Sequence, residues 1–229
     1  MFDQIILIDK PTEMTSFGVV ARVRRILSEK AGKKIKVGHT GTLDPFATGL
    51  LILMTGKNTK KCQDFLKKDK RYEATIKLGW TSTTGDPEGE LEKHEVETPP
   101  TLETVQQTLK SFTGEITQTV PRFSAVKIDG RRAYDLARKG QEVEMPTRKV
   151  TIYEINLLDY SYPYLKIDCK VSSGTYIRSL AEDIGKSLGA GAYLTALRRT
   201  AIDDYRVEEA LPLDLWMKEN SCQEKQGVL

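Results

Sequence analysis

The sequence predicts an α+β fold with a large, mostly antiparallel sheet flanked by helices and loops. Three observations predict it. "YEATIKLG" at 72–79 alternates cleanly, placing Tyr72, Ala74, Ile76 and Leu78 on one face of a strand. Two long strand candidates stand at 149–158 and 164–172. Strand and helix patterns are mixed without a regular βαβ alternation. A length of 229 residues fits one large domain, or one with a small appendage.

The elements follow in order. Ile5–Ile8 reads as a short strand, and "DKPTEMTS" as a polar turn ending in Ser16, the expected N-cap of a helix over about 17–29. Val19, Val23, Ile26 and Leu27 form that helix's apolar stripe. A glycine-rich loop precedes an apolar segment, Leu50–Met54, and a short basic helix at about 58–67. A helix at about 102–112 sets Leu102, Val105, Leu109 and Phe112 on one side. "SAVKIDGRRAY" at 124–134 reads as a strand, an Asp-Gly turn and a return. A helix after Gly174 carries Ile177, Leu180, Ala181, Ile184 and Leu188 as its buried stripe, and Gly189 stops it. A last strand at about 192–202 precedes a polar tail, whose residues 218–229 are expected to fray.

Composition narrows the chemistry. No apolar run approaches a membrane span, and the N-terminus lacks the features of a signal peptide. Cys62, Cys169 and Cys222 are odd in number and far apart, which argues for a reducing cytosol and against a disulfide framework. Residues 1–71 carry 15 Lys+Arg against 7 Asp+Glu, a net of +8; the remainder carries 20 against 25, a net of −5. A basic first third suits a polyanionic partner, although lysine runs are also ordinary solvated faces. "TGKNTK" at 55–60 fails as a phosphate loop, because it lacks the earlier glycine and has Asn58 where Ser or Thr is needed. His39 and His94 have no Cys or His at ligand spacing, and no G-x-S-x-G elbow occurs. No metal or cofactor is announced. Any chemistry falls to carboxylate, tyrosine, arginine and lysine.

"KVGHTGTLDPFATGLLIL", Lys36–Leu53, holds the leading candidate. Asp44 is a lone carboxylate in a flexible-looking loop, suited to act as nucleophile or base. Its commoner use before Pro45 is to cap a turn. Arg178 and Tyr176 stand at the head of the helix after Gly174, where an arginine keeps a carboxylate ionised. Tyr72 reads as core packing or as a platform for a nucleobase. His39 reads as a loop histidine or a wedge between bases. Lys127, Arg131 and Arg132 flank a hairpin and suit phosphate contacts or a solvated face.

The order of segments resembles the TruB family of tRNA pseudouridine synthases over nearly the whole chain. The matching segments are "LIDKPTEMTS" (7–16), "GHTGTLDPFATGLL" (38–51), "KRYEATIKLG" (70–79), "TTGDPEGE" (83–90), "PRFSAVKIDGRRAYDLARKG" (121–140), "SSGTYIRSLAEDIG" (172–185) and "LRRTAI" (197–202). The resemblance implies a pseudouridine synthase fold. It implies that Asp44 is the catalytic aspartate, that Tyr72 stacks on the target uracil, and that Arg178 pairs with the aspartate beside Tyr176. It sets Leu197 beside the flipped base and gives His39 a part in displacing it. Lys10, Asp86 and Lys127 match further positions near the site. The implied reaction isomerises uridine 55 in the T-arm of tRNA by base flipping, with no cofactor.

The resemblance further implies a cytoplasmic enzyme that is a monomer by default, with tRNA as partner and no obligatory protein partner. Residues 1–213 are expected to be the catalytic domain and 214–229 a short tail, without the C-terminal RNA-binding domain of the PUA type that many members carry. Three rival readings differ in what they require. A guide-RNA-dependent subunit needs that further domain and protein partners. An RNA chaperone needs binding without product. A carboxylate hydrolase needs a second paired carboxylate.

Overall fold

The computed structural model describes residues 2–221. The chain divides into two compact units, one made of the residues up to Lys68 with those from Arg198 onward, the other of Asp69–Leu197. The fold class is α+β, and its strands pair mostly antiparallel. Among the described residues no helix is long and apolar enough to cross a membrane.

The first unit opens with β1 (Ile5–Lys10), α1 (Ser16–Ala31), β2 (Val37–His39), β3 (Thr48–Thr55) and, after a 3-10 turn at Gly56–Lys61, α2 (Cys62–Leu66). The basic stretch is thus two short pieces rather than the single helix expected. α1 buries Val19, Val20, Val23, Ile26 and Leu27 against Ile6, Ile8, Leu51 and Leu53. Each such burial is worth roughly 1.5–3 kcal/mol. Its N-cap is Thr15, not Ser16: the Thr15 hydroxyl accepts from the Gly18 N–H at 2.9 Å. β3 is apolar on both faces because both are covered. Leu50 and Ile52 pack with Ile202 and Val207 on the side away from α1.

The second unit begins with β4 (Lys70–Leu78), whose alternation holds: Tyr72, Ala74, Ile76 and Leu78 are buried. β5 (Trp80–Ser82) and β6 (Leu91–Lys93) form a small ribbon. α3 (Leu102–Ser111) buries Val105 and Leu109 but leaves Leu102 52% exposed, so the expected stripe is narrower. β7 (Gly114–Thr119) was not anticipated. β8 (Lys127–Ile128) and β9 (Arg131–Arg132) make the predicted Asp-Gly hairpin, with Asp129 and Gly130 both at positive φ. The return is short because α4 (Ala133–Arg138) starts at once. β10 (Thr147–Ser161) and β11 (Tyr164–Val171) pair antiparallel, and α5 (Ile177–Ser187) buries Ile177, Leu180, Ala181 and Ile184. β12 (Ala192–Ile202) contributes its first half to this unit, in the order β12-β4-β11-β10-β7.

The second half of β12 belongs to the first unit, where Arg198 and Arg199 pair parallel with Thr48 and Gly49. β13 (Tyr205–Arg206), β14 (Leu211–Pro212) and α6 (Leu213–Asn220) complete the described chain. Where the sequence suggested a polar tail from 214 and fraying from 218, α6 is a helix that packs Leu213 and Trp216 into the α1 core. The rest of that expected tail, including Cys222, lies outside the described residues.

Candidate active site

The candidate residues fall into two groups, one in each unit. In the first unit, Asp44 sits half-buried in the loop between β2 and β3. Every carbonyl from Gly41 to Phe46 accepts a hydrogen bond. Arg199 donates to Gly41 at 3.0 Å and Thr42 at 3.4 Å, and Ser16 Oγ to Leu43 at 2.9 Å. The Asp44 carbonyl accepts from the Ala47 N–H at 3.1 Å, Pro45 from Lys10 Nζ at 3.2 Å, and Phe46 from Thr12 Oγ1 at 3.2 Å. The glycines had suggested flexibility, but a loop with its acceptors satisfied by distant side chains is held in one shape.

Asp44 does start a turn over Pro45, closed by its backbone carbonyl. The turn and the presentation of the carboxylate are therefore compatible. Lys10 is fully buried, its ammonium donating to Pro11, Met14 and Pro45 carbonyls at 2.8, 2.6 and 3.2 Å. This makes it a brace beneath the loop. His39, at the end of β2, accepts from the Gly41 N–H through Nδ1 at 3.3 Å. Burial, and then the charge of Arg199, hold its pKa below the usual histidine range.

In the second unit, Arg178 lies in the first turn of α5 and Asp86 in the loop between β5 and β6, and both are buried. Arg178 Nη1 stands 3.4 Å from Asp86 Oδ2 and donates to the Thr84 carbonyl at 2.9 Å, while Nη2 donates to the Phe123 carbonyl at 2.8 Å. The carboxylate of Asp86 also accepts from Thr84 Oγ1 at 2.5 Å and the Glu88 N–H at 3.0 Å. A buried pair with this many hydrogen bonds is fixed in orientation. Gly85 allows the close turn: its φ is +74°, and a Cβ there would collide with the Glu182 carboxylate.

Tyr176 is the N-cap residue of α5. Tyr72 and Leu197 are buried on β4 and β12. Lys127 lies exposed on β8, with Arg131 and Arg132 exposed on β9. The structure thus joins Lys10 and His39 to the Asp44 loop and Asp86 to Arg178, and sets Lys127 on a separate hairpin. Sequence reasoning missed the bracing roles of Ser16, Thr12 and Arg199. The buried Arg199 of "LRRTAI" carried the one available signal, one of two adjacent arginines in a mostly apolar strand.

Residues 24–177 match the family model described as TruB family pseudouridylate synthase (N terminal domain), and residues 178–221 match tRNA pseudouridylate synthase B C-terminal domain. The chain is 45% identical over 225 residues to tRNA pseudouridine synthase B of Phocaeicola vulgatus, covering 96% of each chain. It is 48% identical over 209 residues to the protein of the same name from Bacteroides fragilis, covering 91% of this chain and 90% of that one. Among solved structures, a Cbf5-Nop10-Gar1 complex matches with TM-score 0.70 at 30% identity, over 96% of this chain and 56% of that one. The archaeal box H/ACA sRNP Nop10-Cbf5 complex matches with TM-score 0.69 at 28% identity, over 94% and 53%. The chain spans little more than half of those two solved chains. With family models matched from residue 24 to 221 and near-full-length relatives at this identity, the chain belongs to the TruB family of pseudouridylate synthases.

Proposed function

We infer that this protein isomerises uridine 55 in the T-arm of tRNA to pseudouridine. The observation that carries the reading is the near-full-length identity to relatives named tRNA pseudouridine synthase B. The braced Asp44 loop supports it. The C1′–N1 bond breaks, the uracil turns, C5 bonds to C1′, and the C5 proton leaves to water while N1 regains one. Atoms balance without oxidant, reductant or energy source.

In this reading Asp44 is the catalytic carboxylate, acting on the sugar or base of an extruded uridine. Extrusion costs a few kcal/mol. Stacking on Tyr72 offsets about 1–3 kcal/mol of that. Tyr176, Leu197 and Arg178 belong to the uridine's surroundings, and His39 aids its displacement. Asp86 holds Arg178, and Lys10 holds the loop. Lys127 and the basic first third contact phosphates. The enzyme works as a monomer in the cytoplasm, with tRNA as its partner.

The test is tritium release from a T-arm stem-loop labelled at C5 of its uridines. Release by the wild type and none by Asp44→Asn is expected. Binding without release by the wild type would overturn the reading in favour of an RNA chaperone.

A further inference from the structure

We propose that Gln118 and Arg148 form a cross-strand clamp that positions Arg178 through Tyr176. The inference rests on the function given above and adds two residues to it.

α5 begins without an ordinary cap. Its N-cap residue, Tyr176, makes no side-chain capping bond, where Ser, Thr, Asp or Asn would usually do so. The fixing group comes from β7. Gln118 is fully buried. Its Oε1 accepts from the Tyr176 N–H at 3.1 Å, and its Nε2 donates to the Tyr176 carbonyl at 3.2 Å. The same carbonyl accepts the Leu180 N–H of the first helical turn at 3.0 Å. One planar amide therefore fixes the peptide groups on both sides of Tyr176. An amide does this because it carries a donor and an acceptor together; a carboxylate has only acceptors and a thioether has no donor.

Arg148 stands directly opposite Gln118 in the β7–β10 register, so their side chains share a face of the sheet. Its Nη1 donates to the Gly174 carbonyl at 3.2 Å, and its guanidinium lies 5.5 Å from the centre of the Tyr176 ring. Gln118 grips the backbone of Tyr176, and Arg148 grips its ring and approach. Two further contacts run from the same segment to the helix head: Ser179 Oγ donates to the Thr119 carbonyl at 3.0 Å, and Arg178 itself to Phe123.

The consequence for Arg178 is geometric. It lies two residues past Tyr176 in the first turn, so its direction depends on where the helix starts. At 3.6 residues per turn, a slip of one residue swings a side chain by about 100°. The clamp sets that start. Gln118 and Arg148 are positioning residues, not catalytic ones.

The experiment compares Gln118→Met, Arg148→Met, Arg178→Lys and the double variant Gln118→Met/Arg178→Lys. Single-turnover tritium release and T-arm affinity are measured, with circular dichroism as the folding check. Gln118→Met is expected to slow release at least about tenfold while changing affinity less than about threefold. In the Arg178→Lys background it should slow release by less than about threefold more, since both changes act on one group. Arg148→Met should slow release by a smaller factor, and being half-buried it carries the test if Gln118→Met does not fold. Wild-type rates in both clamp variants, or effects that multiply in the double variant, would overturn the clamp and leave the enzyme's function standing. No release by the wild type would overturn the function and the clamp together.

Discussion

The hydroxyl of Ser16 accepts from the Leu43 N–H at 2.8 Å and donates to the Leu43 carbonyl at 2.9 Å. A single buried oxygen thus satisfies both backbone groups of the residue before Asp44. It also accounts for the shift of the helix cap to Thr15, since the Ser16 hydroxyl is already engaged. Ser16→Ala strands a buried donor and an acceptor, at about 1–3 kcal/mol. Urea denaturation should show that loss. The release rate should also fall, because the loop carrying Asp44 loosens. A variant as stable as the wild type would break the link between this bond pair and the loop.

Gly49 makes a second prediction at the loop's other end. Its φ is +103°, and a Cβ there would run into the backbone of Arg199, its partner in the parallel register. Gly49→Ala therefore meets both strain, about 1–3 kcal/mol, and a collision that neither backbone can relieve. Melting followed by circular dichroism should drop sharply. Gly130→Ala serves as a control with strain but no collision, since nothing beyond its two chain neighbours lies within 4 Å of its added Cβ.

His39 gives a pH dependence. Burial and the Arg199 charge hold its pKa below 6.5, its ordinary value. The folded state then favours the neutral ring. The stability tied to His39 is complete above about pH 6.5, where the unfolded histidine is neutral. It is lost as pH falls from there through the lowered folded value. NMR titration of the imidazole carbon-bound protons should place the His39 midpoint below 6.5, with His94→Gln used to assign the two rings. A midpoint at or above 6.5 would contradict the burial and charge seen around it.

Tyr72 separates packing from stacking. Tyr72→Phe keeps the ring and the buried volume and should hold most of kcat/KM. Tyr72→Leu keeps an apolar filler but removes the stacking face. It should lower kcat/KM by about 1–3 kcal/mol, roughly 5- to 150-fold. Equal losses in both variants would assign the effect to the hydroxyl instead.

What the sequence disclosed depended on period and length. The alternation of β4 and the stripe of α5 were readable because each spans nine residues or more with one buried face. The β8–β9 hairpin was readable from Asp129-Gly130, whose positive φ values that dipeptide accepts. β7 was hidden because four of its six residues are polar and only Gln118 is fully enclosed. α6 was hidden because its eight residues bury only Leu213 and Trp216, too few to establish a helical period. The motif around Asp44 drew notice to the loop, but not to its rigidity. The donors come from residues 10, 12, 16 and 199, and local sequence gives no measure of which remote side chain reaches which carbonyl.

Asp86 and Arg178 give the prediction that separates stability from catalysis. Both side chains are almost wholly enclosed, at 4% and 6% exposure. Removing one partner of a buried pair leaves the other charge without compensation, at about 3–5 kcal/mol. Asp86→Ala should therefore destabilise strongly, and Arg178 would lose the contact that Asp86 Oδ2 gives it, so release of tritium should fall too. Replacing both groups by apolar ones, Asp86→Leu with Arg178→Met, removes both charges of the pair. Much of the stability should return, as it does when buried pairs are replaced by packed side chains. Activity should not return, because the guanidinium itself is gone. Denaturation midpoints and single-turnover rates on the wild type, Asp86→Ala and the double variant decide the matter. Recovery of rate together with stability would show that the pair serves folding alone. Recovery of stability with the rate still lost is expected if the enclosed arginine takes part in the reaction.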